Sequence, residues 1–179
     1  MLFYFRYFAY FCKMKVKIKK THKNAVIPSY AKEGDAGMDL TAVSRTYDKY
    51  GNVCFGTGLS FEIPKGFVGL LFPRSSIYKQ DISLTNCVGV IDSGFRGEVS
   101  FKFKQQVRIL NPLSFLWNVF IIKKKKTDMK IYNIETNSYN IGDRVGQIVI
   151  MPYPKIEFEE VEELSKTERG LGGYGSTGK

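Results

Sequence analysis

Short apolar runs separated by turn residues are the feature that most constrains how this chain folds. Runs at 59–63, 67–72, 82–91 and 145–151 lie between Gly, Pro, Asn and Asp residues. Val99, Phe101 and Phe103 alternate with polar residues, as expected of a strand with one solvated face. The chain shows no internal repeat. Many short strands joined by tight turns predict an all-β, jelly-roll-like barrel or sandwich.

Length and composition limit the classes of protein to be considered. A chain of 179 residues that is 44% hydrophobic is long enough for one domain with its own core. The single His22 and three dispersed cysteines exclude His-based zinc sites, CxxC redox chemistry and any Ser-His-Asp triad that does not use His22. The odd number of cysteines (Cys12, Cys54, Cys87) fits a reducing compartment, so we expect a cytoplasmic protein, or one in host cytoplasm or nucleus if viral.

The first thirteen residues form an apolar, aromatic-rich extension that differs from the rest. This stretch is too short to span a bilayer and has no signal-peptide cleavage site. Met14 then opens a strand pattern in which Val16 and Ile18 share one face. One interpretation is that the native chain starts at Met14. The other is that 1–13 is an arm that contacts a membrane surface or another subunit. A measured N-terminus would decide.

One segment has helical rather than strand character. Asn111-Pro112 is a plausible helix start, and apolar residues follow almost without interruption to 122. The lysines at 123–126 suit a helix C-terminus. We predict a short helix at 111–122 within an insertion at 105–128. Either it packs on the barrel, or residues 109–126 contact a membrane or an unknown partner.

The net charge of +10 favours a polyanionic partner, although the charge is unevenly distributed. The basic runs at 13–20 and 123–126 contrast with an acidic stretch at 157–168. Charge runs usually lie on solvated faces, and a nucleoside triphosphate explains scattered arginines as well as a duplex does. We therefore expect no stable binding to nucleic acid.

Four polar, glycine-containing stretches are candidates for phosphate or nucleoside binding. In 34–40, the two aspartates Asp35 and Asp39 can hold a hydrated divalent cation, or the stretch is a turn closed by an Asx hydrogen bond. In 72–76, Arg74 and two serines offer planar and hydroxyl donors for a phosphate. In 86–98, Asp92 can hydrogen-bond a water and Phe95 can pack on a sugar. Alternatively, Asp92 begins the turn of a β-hairpin.

The fourth stretch, 169–178, is a glycine-rich tail. Its glycines match G-x-G-x-x-G, but no βαβ unit surrounds them, so a dinucleotide-binding fold is excluded. The backbone amides of such a tail can wrap an anion. We predict that 166–179 is loose when empty and closes as a lid over a ligand.

These four stretches, together with 142–147, occur in the order and approximate spacing of the homotrimeric deoxyuridine triphosphatases (dUTPases), which the chain resembles from Met14 to its end. The resemblance implies a jelly-roll-like barrel over 14–165 and a trimer with active sites at subunit interfaces. It implies hydrolysis of dUTP to dUMP and pyrophosphate with Mg²⁺, which supplies dUMP for thymidylate synthesis and keeps uracil out of DNA.

The resemblance also assigns roles to individual residues. Asp92 is expected to deprotonate the attacking water, and Asp39 to contact the Mg²⁺ shell through water. Phosphate contacts are expected from Arg74, Ser75, Ser76 and Gln147. The uracil edge would be recognised by Asn86 and the backbone of Gly89, Val90 and Ile91. Phe95 would pack on deoxyribose, and the closing tail would contribute Arg169, Tyr174, Gly175, Ser176 and Thr177.

Three departures from the family pattern are visible. Phe95 stands where many relatives have Tyr, and Gly146 replaces the usual Ala with a small loss of strand rigidity. The segment from 98 to 143 is longer than usual. Two other functions remain open. A dCTP deaminase shares the fold, although Asp39 and the tail favour a dUTPase, and a regulatory binding protein would use the insertion.

Overall fold

The structure, a computed structural model, describes residues 14–86, 88–106 and 137–173. Within these residues, ten strands and one short 3-10 helix make up the regular structure. In chain order they are β1 Lys17–Lys20, β2 Met38–Thr41, β3 Ser44–Tyr47, β4 Val53–Gly56, β5 Leu59–Glu62, β6 Phe67–Phe72, the 3-10 helix Ser75–Lys79, β7 Ile82–Leu84, β8 Gly89–Ile91, β9 Ser100–Gln105 and β10 Arg144–Pro152. The all-β class predicted from the sequence is confirmed.

The strands form two four-stranded sheets and one two-stranded sheet. The front sheet has the order β2-β10-β6-β8, and the back sheet has the order β3-β4-β9-β7. β1 and β5 pair separately. All pairings are antiparallel, as in jelly rolls and sandwiches. Among the described residues, no helix is long and apolar enough to cross a membrane.

The hydrophobic core lies between the front and back sheets. Both sheets contribute side chains that alternate with exposed ones, so the period of two in the sequence sets which face is buried. Phe101 and Phe103 are fully buried, whereas Lys102 and Lys104 between and after them face solvent. From the front sheet come Leu40, Leu71, Val145 and Ile148, and from the back sheet Val53, Phe55, Ile82 and Leu84.

Two features of the sequence reading are refined by the structure. The run at 82–91 divides into β7 and β8, which belong to different sheets. The interpretation of Asp92 as the start of a hairpin turn is wrong, because β8 pairs with β6 whereas β9 pairs with β4 and β7. The segment after Ile91 therefore crosses from the front sheet to the back sheet. The extension 1–13 and the predicted helix at 111–122 lie outside the described residues.

Candidate active site

The candidate site begins on three neighbouring strands of the front sheet, β2, β10 and β6, where three register positions lie side by side. β10 pairs with β2 on one side and β6 on the other, so Gln147 lies opposite Asp39 and also opposite Phe72. The residues that follow β6 are Pro73 and Arg74. The stretches 34–40, 72–76 and 142–147, which are far apart in sequence, are thereby joined on one surface.

Asp39 is the centre of an ion-pair cluster on this surface. Arg74 Nε donates to Asp39 Oδ1 over 3.0 Å, and Arg144 Nη1 donates to Asp39 Oδ2 over 3.1 Å. The Asp39 side chain is 26% exposed, so the cluster is partly shielded from water. One carboxylate therefore holds two guanidinium groups at the surface, where each keeps further N–H donors for a bound anion.

Gln147 joins the loop after β6 to the loop before β2. Its Nε2 donates to the carbonyl oxygen of Pro73 over 3.2 Å. Its Oε1 fills the space where a side chain on Gly37 would lie. A side chain at position 37 would therefore displace the Gln147 amide from the place it occupies beside Pro73.

These groups line a cleft of about 390 Å³. Its walls include the predicted phosphate and metal residues Asp39, Arg74, Ser75 and Gln147, together with Asp35 and Ser29. Ser76 is half-buried beside it in the 3-10 helix. The cleft and its rim therefore combine two arginines, hydroxyl and amide groups and two carboxylates, a set suited to a polyphosphate accompanied by a cation.

Arg144 is a residue of this cluster that the sequence analysis did not assign. A register shift between Arg144 and Gly146 adds one residue to β10 at this point. In a regular strand, residues three apart point to opposite faces, and the bulge puts Arg144 and Gln147 on the same face. The available signal was the Gly142-Asp143 turn before a strand, which is a common place for a bulge.

The second group of predicted residues, around Asp92, lies on and beside strand β8. Gly89 is buried on β8, and a Cβ added there would lie 3.1 Å from Asn86 Nδ2 and 3.0 Å from Leu71 Cβ. The Asn86 amide is thus held close to the backbone of Gly89. Val90 is 60% exposed, Ile91 is half-buried, and Asp92 follows at the surface.

Phe95 lies in the crossing segment after Asp92. Its amide donates to the Asp92 carbonyl over 3.0 Å, which closes a turn. Its ring covers Gly97, where an added Cβ would be 2.6 Å from the ring, and it remains 42% exposed. An aromatic face is therefore available next to Asp92.

The two groups of residues are well separated within one chain. The row Asp39–Gln147–Phe72 lies across β2, β10 and β6, whereas Asp92 follows β8, the opposite edge strand. Three strand spacings give a separation of about 14 Å perpendicular to the strands, and the offset of four residues along β6 gives about 13 Å parallel to them. Asp92 is thus about 19 Å from Asp39 across the sheet.

The predicted lid is described only as far as Gly173. Arg169 is exposed, and its Nε donates to the Gly172 carbonyl over 3.1 Å. Gly170 has a φ of 48°, a left-handed conformation that suits glycine. The predicted contacts at Tyr174, Gly175, Ser176 and Thr177 lie outside the described residues.

The fold is all-β and its polar cleft suits phosphate groups, and comparisons with known proteins specify the family. The dUTPase family model matches residues 23–109 and 119–178. A deoxyuridine 5'-triphosphate nucleotidohydrolase of Nautilia profundicola is 39% identical over 168 residues, which is 93% of this chain and 100% of the relative. That of Clostridium acetobutylicum is 35% identical over 92% of this chain and 97% of its own.

Solved structures agree with this result. The dUTPase of Staphylococcus bacteriophage 80alpha, solved with dUPNHPP, superposes with a TM-score of 0.67 at 26% identity, covering 93% of this chain and 100% of that chain. The chain therefore belongs to the dUTPase family.

Proposed function

We propose that the protein hydrolyses dUTP to dUMP and pyrophosphate by attack of a water molecule on the α-phosphate. The observation that carries the proposal is the Asp39–Arg74–Arg144 cluster beside Ser75 and Gln147. Family membership and the relatives named nucleotidohydrolases support the same reaction. In a cytoplasm, this reaction would supply dUMP for thymidylate synthesis and keep uracil out of DNA.

Most of the predicted residues would position the substrate, and one would transfer a proton. Hydrolysis of a phosphoanhydride depends mainly on in-line positioning and on neutralising charge. Arg74, Ser75, Ser76 and Gln147 would bind the phosphates, and Arg144 would add a second guanidinium. Asp92 would accept the proton of the attacking water as a general base, which contributes roughly 10²–10⁴-fold to such reactions.

Substrate selection is assigned to the group around Asp92. The close approach of Asn86 to the Gly89 backbone offers amide and carbonyl groups to the edge of a uracil. Fixed hydrogen-bonding groups of this kind discriminate strongly between bases, by about 10⁴ or more. The exposed ring of Phe95 would pack on deoxyribose. The tail, with Arg169, Tyr174, Gly175, Ser176 and Thr177, would close over the γ-phosphate.

The donor set in the cleft fits a magnesium ion that is bound mainly by the substrate. Among the described residues, no three His, Cys, Asp or Glu side chains converge as ligands for a metal. Mg²⁺ usually takes one or two carboxylates together with phosphates and waters. Each Asp39 oxygen accepts one arginine hydrogen bond and keeps a lone pair for a metal-bound water. Bound there, Mg²⁺ would offset phosphate charge.

The separation of the two groups supports a site built by several copies of the chain. A general base must lie within hydrogen-bonding reach of the water it activates, at about 3 Å. Asp92 and Asp39 of one chain are about 19 Å apart, so they cannot serve the same α-phosphate. We propose a homotrimer in which Asp92 of one subunit faces the phosphate cleft of a neighbour.

The segment after β10 supports contact between subunits. Residues 153–171 are exposed throughout, and large apolar side chains project from them. Phe158 is 96% exposed, Leu164 86% and Ile156 65%. Apolar groups on an extended segment gain free energy when a neighbouring surface covers them. Such a segment would also carry Arg169 and the tail to another subunit's site.

The function is tested by measuring pyrophosphate release from dUTP, dTTP, dCTP, dATP, dGTP and UTP, with and without Mg²⁺. We expect turnover of dUTP alone, and loss of turnover without the metal. Asp92→Asn should lower kcat about 10²–10⁴-fold while nucleotide still binds. Unchanged turnover by that variant would disprove the assignment of the base. Release of ammonia from dCTP would instead identify a deaminase.

A further inference from the structure

Tyr139 is a buried residue beside the cleft to which neither the sequence motifs nor the proposed reaction assigns a role. It is 4% exposed and lies in 137–143, the segment that leads into β10. Its ring packs against Phe55 and Phe103, with centroid distances of 6.1 Å and 5.9 Å. The aromatic core therefore fixes where the ring lies and where its hydroxyl points.

Both ends of this segment are attached to elements of the phosphate cleft. At one end, Asn137 Nδ2 donates to the carbonyl oxygen of Lys79, the last residue of the 3-10 helix, over 2.6 Å. At the other end, Gly142 N donates to the Ala42 carbonyl over 2.8 Å, and Ala42 N donates to Asp143 O over 2.9 Å. Tyr139 thus lies between the helix that contains Ser76 and the end of the strand that contains Asp39.

The hydroxyl of Tyr139 is buried and makes no hydrogen bond within the described part of the chain. Burial raises the pKa of the Tyr139 phenol. The Ser76 side chain, and to a smaller extent Arg74, lower this pKa. Asp143 and Asp39 act in the same direction as burial. Tyr139 is therefore a neutral hydrogen-bond donor at physiological pH, with the Ser76 side chain as its polar neighbour.

A buried hydroxyl without a partner destabilises a fold, and such groups in native proteins require an explanation. We propose that Tyr139 is a positioning residue, whose hydroxyl donates to the Ser76 side chain when a polyphosphate occupies the cleft and turns the Ser76 hydroxyl toward a phosphate oxygen. The proposal rests on the proposed function of the cleft. It explains why a tyrosine, and not a phenylalanine, lies in this aromatic core.

The test is a double-mutant cycle with Tyr139→Phe and Ser76→Ala. Tyr139→Phe keeps the ring and removes only the hydroxyl. We expect it to lower kcat/KM for dUTP about tenfold without lowering Tm, since the lost hydroxyl is unpaired in the free protein. On the Ser76→Ala background, Tyr139→Phe should change kcat/KM by less than about twofold. Tyr50→Phe, at a site 78% exposed in a remote turn, is the matched control.

Binding of inorganic pyrophosphate, measured by calorimetry in the same proteins, tests the coupling without turnover. The Kd should rise in both single variants, and no further in the double variant. Unchanged kcat/KM and Kd in Tyr139→Phe, or additive losses in the double variant, would overturn the proposal. A fall in Tm that accompanies the loss would also overturn it, because the hydroxyl would then be structural. Wild-type turnover of dUTP reports on the proposed function separately.

Discussion

At the scale of single residues, the contact between Gly146 and Phe101 shows how the core and the site are adjusted to each other. Gly146 lies one residue before Gln147 on β10, and the Phe101 ring of the back sheet occupies the space of a side chain there. A side chain at position 146 would collide with this ring. The sequence suggested only a loss of strand rigidity at Gly146, because a contact between two sheets leaves no trace in the local pattern.

Gly146→Ala is therefore expected to destabilise the protein. Overpacking a buried contact typically costs about 1–3 kcal/mol. Chemical denaturation would measure this as a lower midpoint with an unchanged m-value. Adding Phe101→Leu should recover part of the loss, since it removes the ring atoms that collide. A Gly146→Ala protein as stable as the wild type would contradict the packing argument.

At the scale of elements, the sequence predicts strands best where apolar residues are buried in long alternation. β6 matches the predicted run at 67–72, and β9 and β10 are close to prediction. β2 and β3 were not predicted because they mix polar with apolar residues, and β4 was not predicted because only Val53 and Phe55 of its four residues are large and apolar. In the proposed site, motifs predicted Asp39, Arg74, Ser75 and Gln147, and the fold brings these four residues together around one cleft. Arg144 was not predicted because its position depends on a bulge, and Tyr139 because its position depends on tertiary packing.

The turn between β3 and β4 gives a prediction of pH dependence. Asp48 accepts hydrogen bonds from Asn52 Nδ2, Asn52 N and Tyr50 N, and pairs with Lys102 at 3.3 Å. The side-chain hydrogen bond from Asn52 is the main reason why the pKa of Asp48 falls to about 2. Because the pKa is lower in the folded protein than in the unfolded chain, this carboxylate stabilises the fold above the unfolded pKa. The contribution is lost as the pH falls toward about 2.

Asp48→Asn should therefore lower Tm at pH 7, because the amide cannot accept all of these hydrogen bonds. The difference from the wild type should shrink as the pH decreases from about 4 to about 2. Thermal unfolding at several pH values would measure it, and Glu157→Gln, an exposed change in the segment after β10, is a suitable control. A difference in Tm that stays constant across this range would show that charge at Asp48 does not stabilise the turn.

At the scale of the whole molecule, the arrangement of the front sheet is the basis for proposing that one site needs more than one chain. β2 and β8 are its two edges, and the phosphate cleft lies at one edge whereas Asp92 lies at the other. No rearrangement of side chains can close a gap of about 19 Å between backbone positions on a hydrogen-bonded sheet. A second copy of the chain can close it, if its β8 edge faces the β2 edge of the first.

This geometry predicts complementation between two inactive variants. Asp92→Asn keeps an intact phosphate cleft, and Arg74→Ala keeps an intact general base. The two variants are unfolded together in equal amounts and refolded, so that mixed oligomers form. If a site takes Asp92 from one subunit and Arg74 from another, each of these subunits carries the intact residue in half of cases, so about a quarter of the sites are intact. We expect pyrophosphate release from dUTP to recover to about a quarter of the wild-type rate per site. Each variant refolded alone is the control. If both residues had to come from one chain, every site in the mixture would carry one defect, and the mixture would be no more active than the controls.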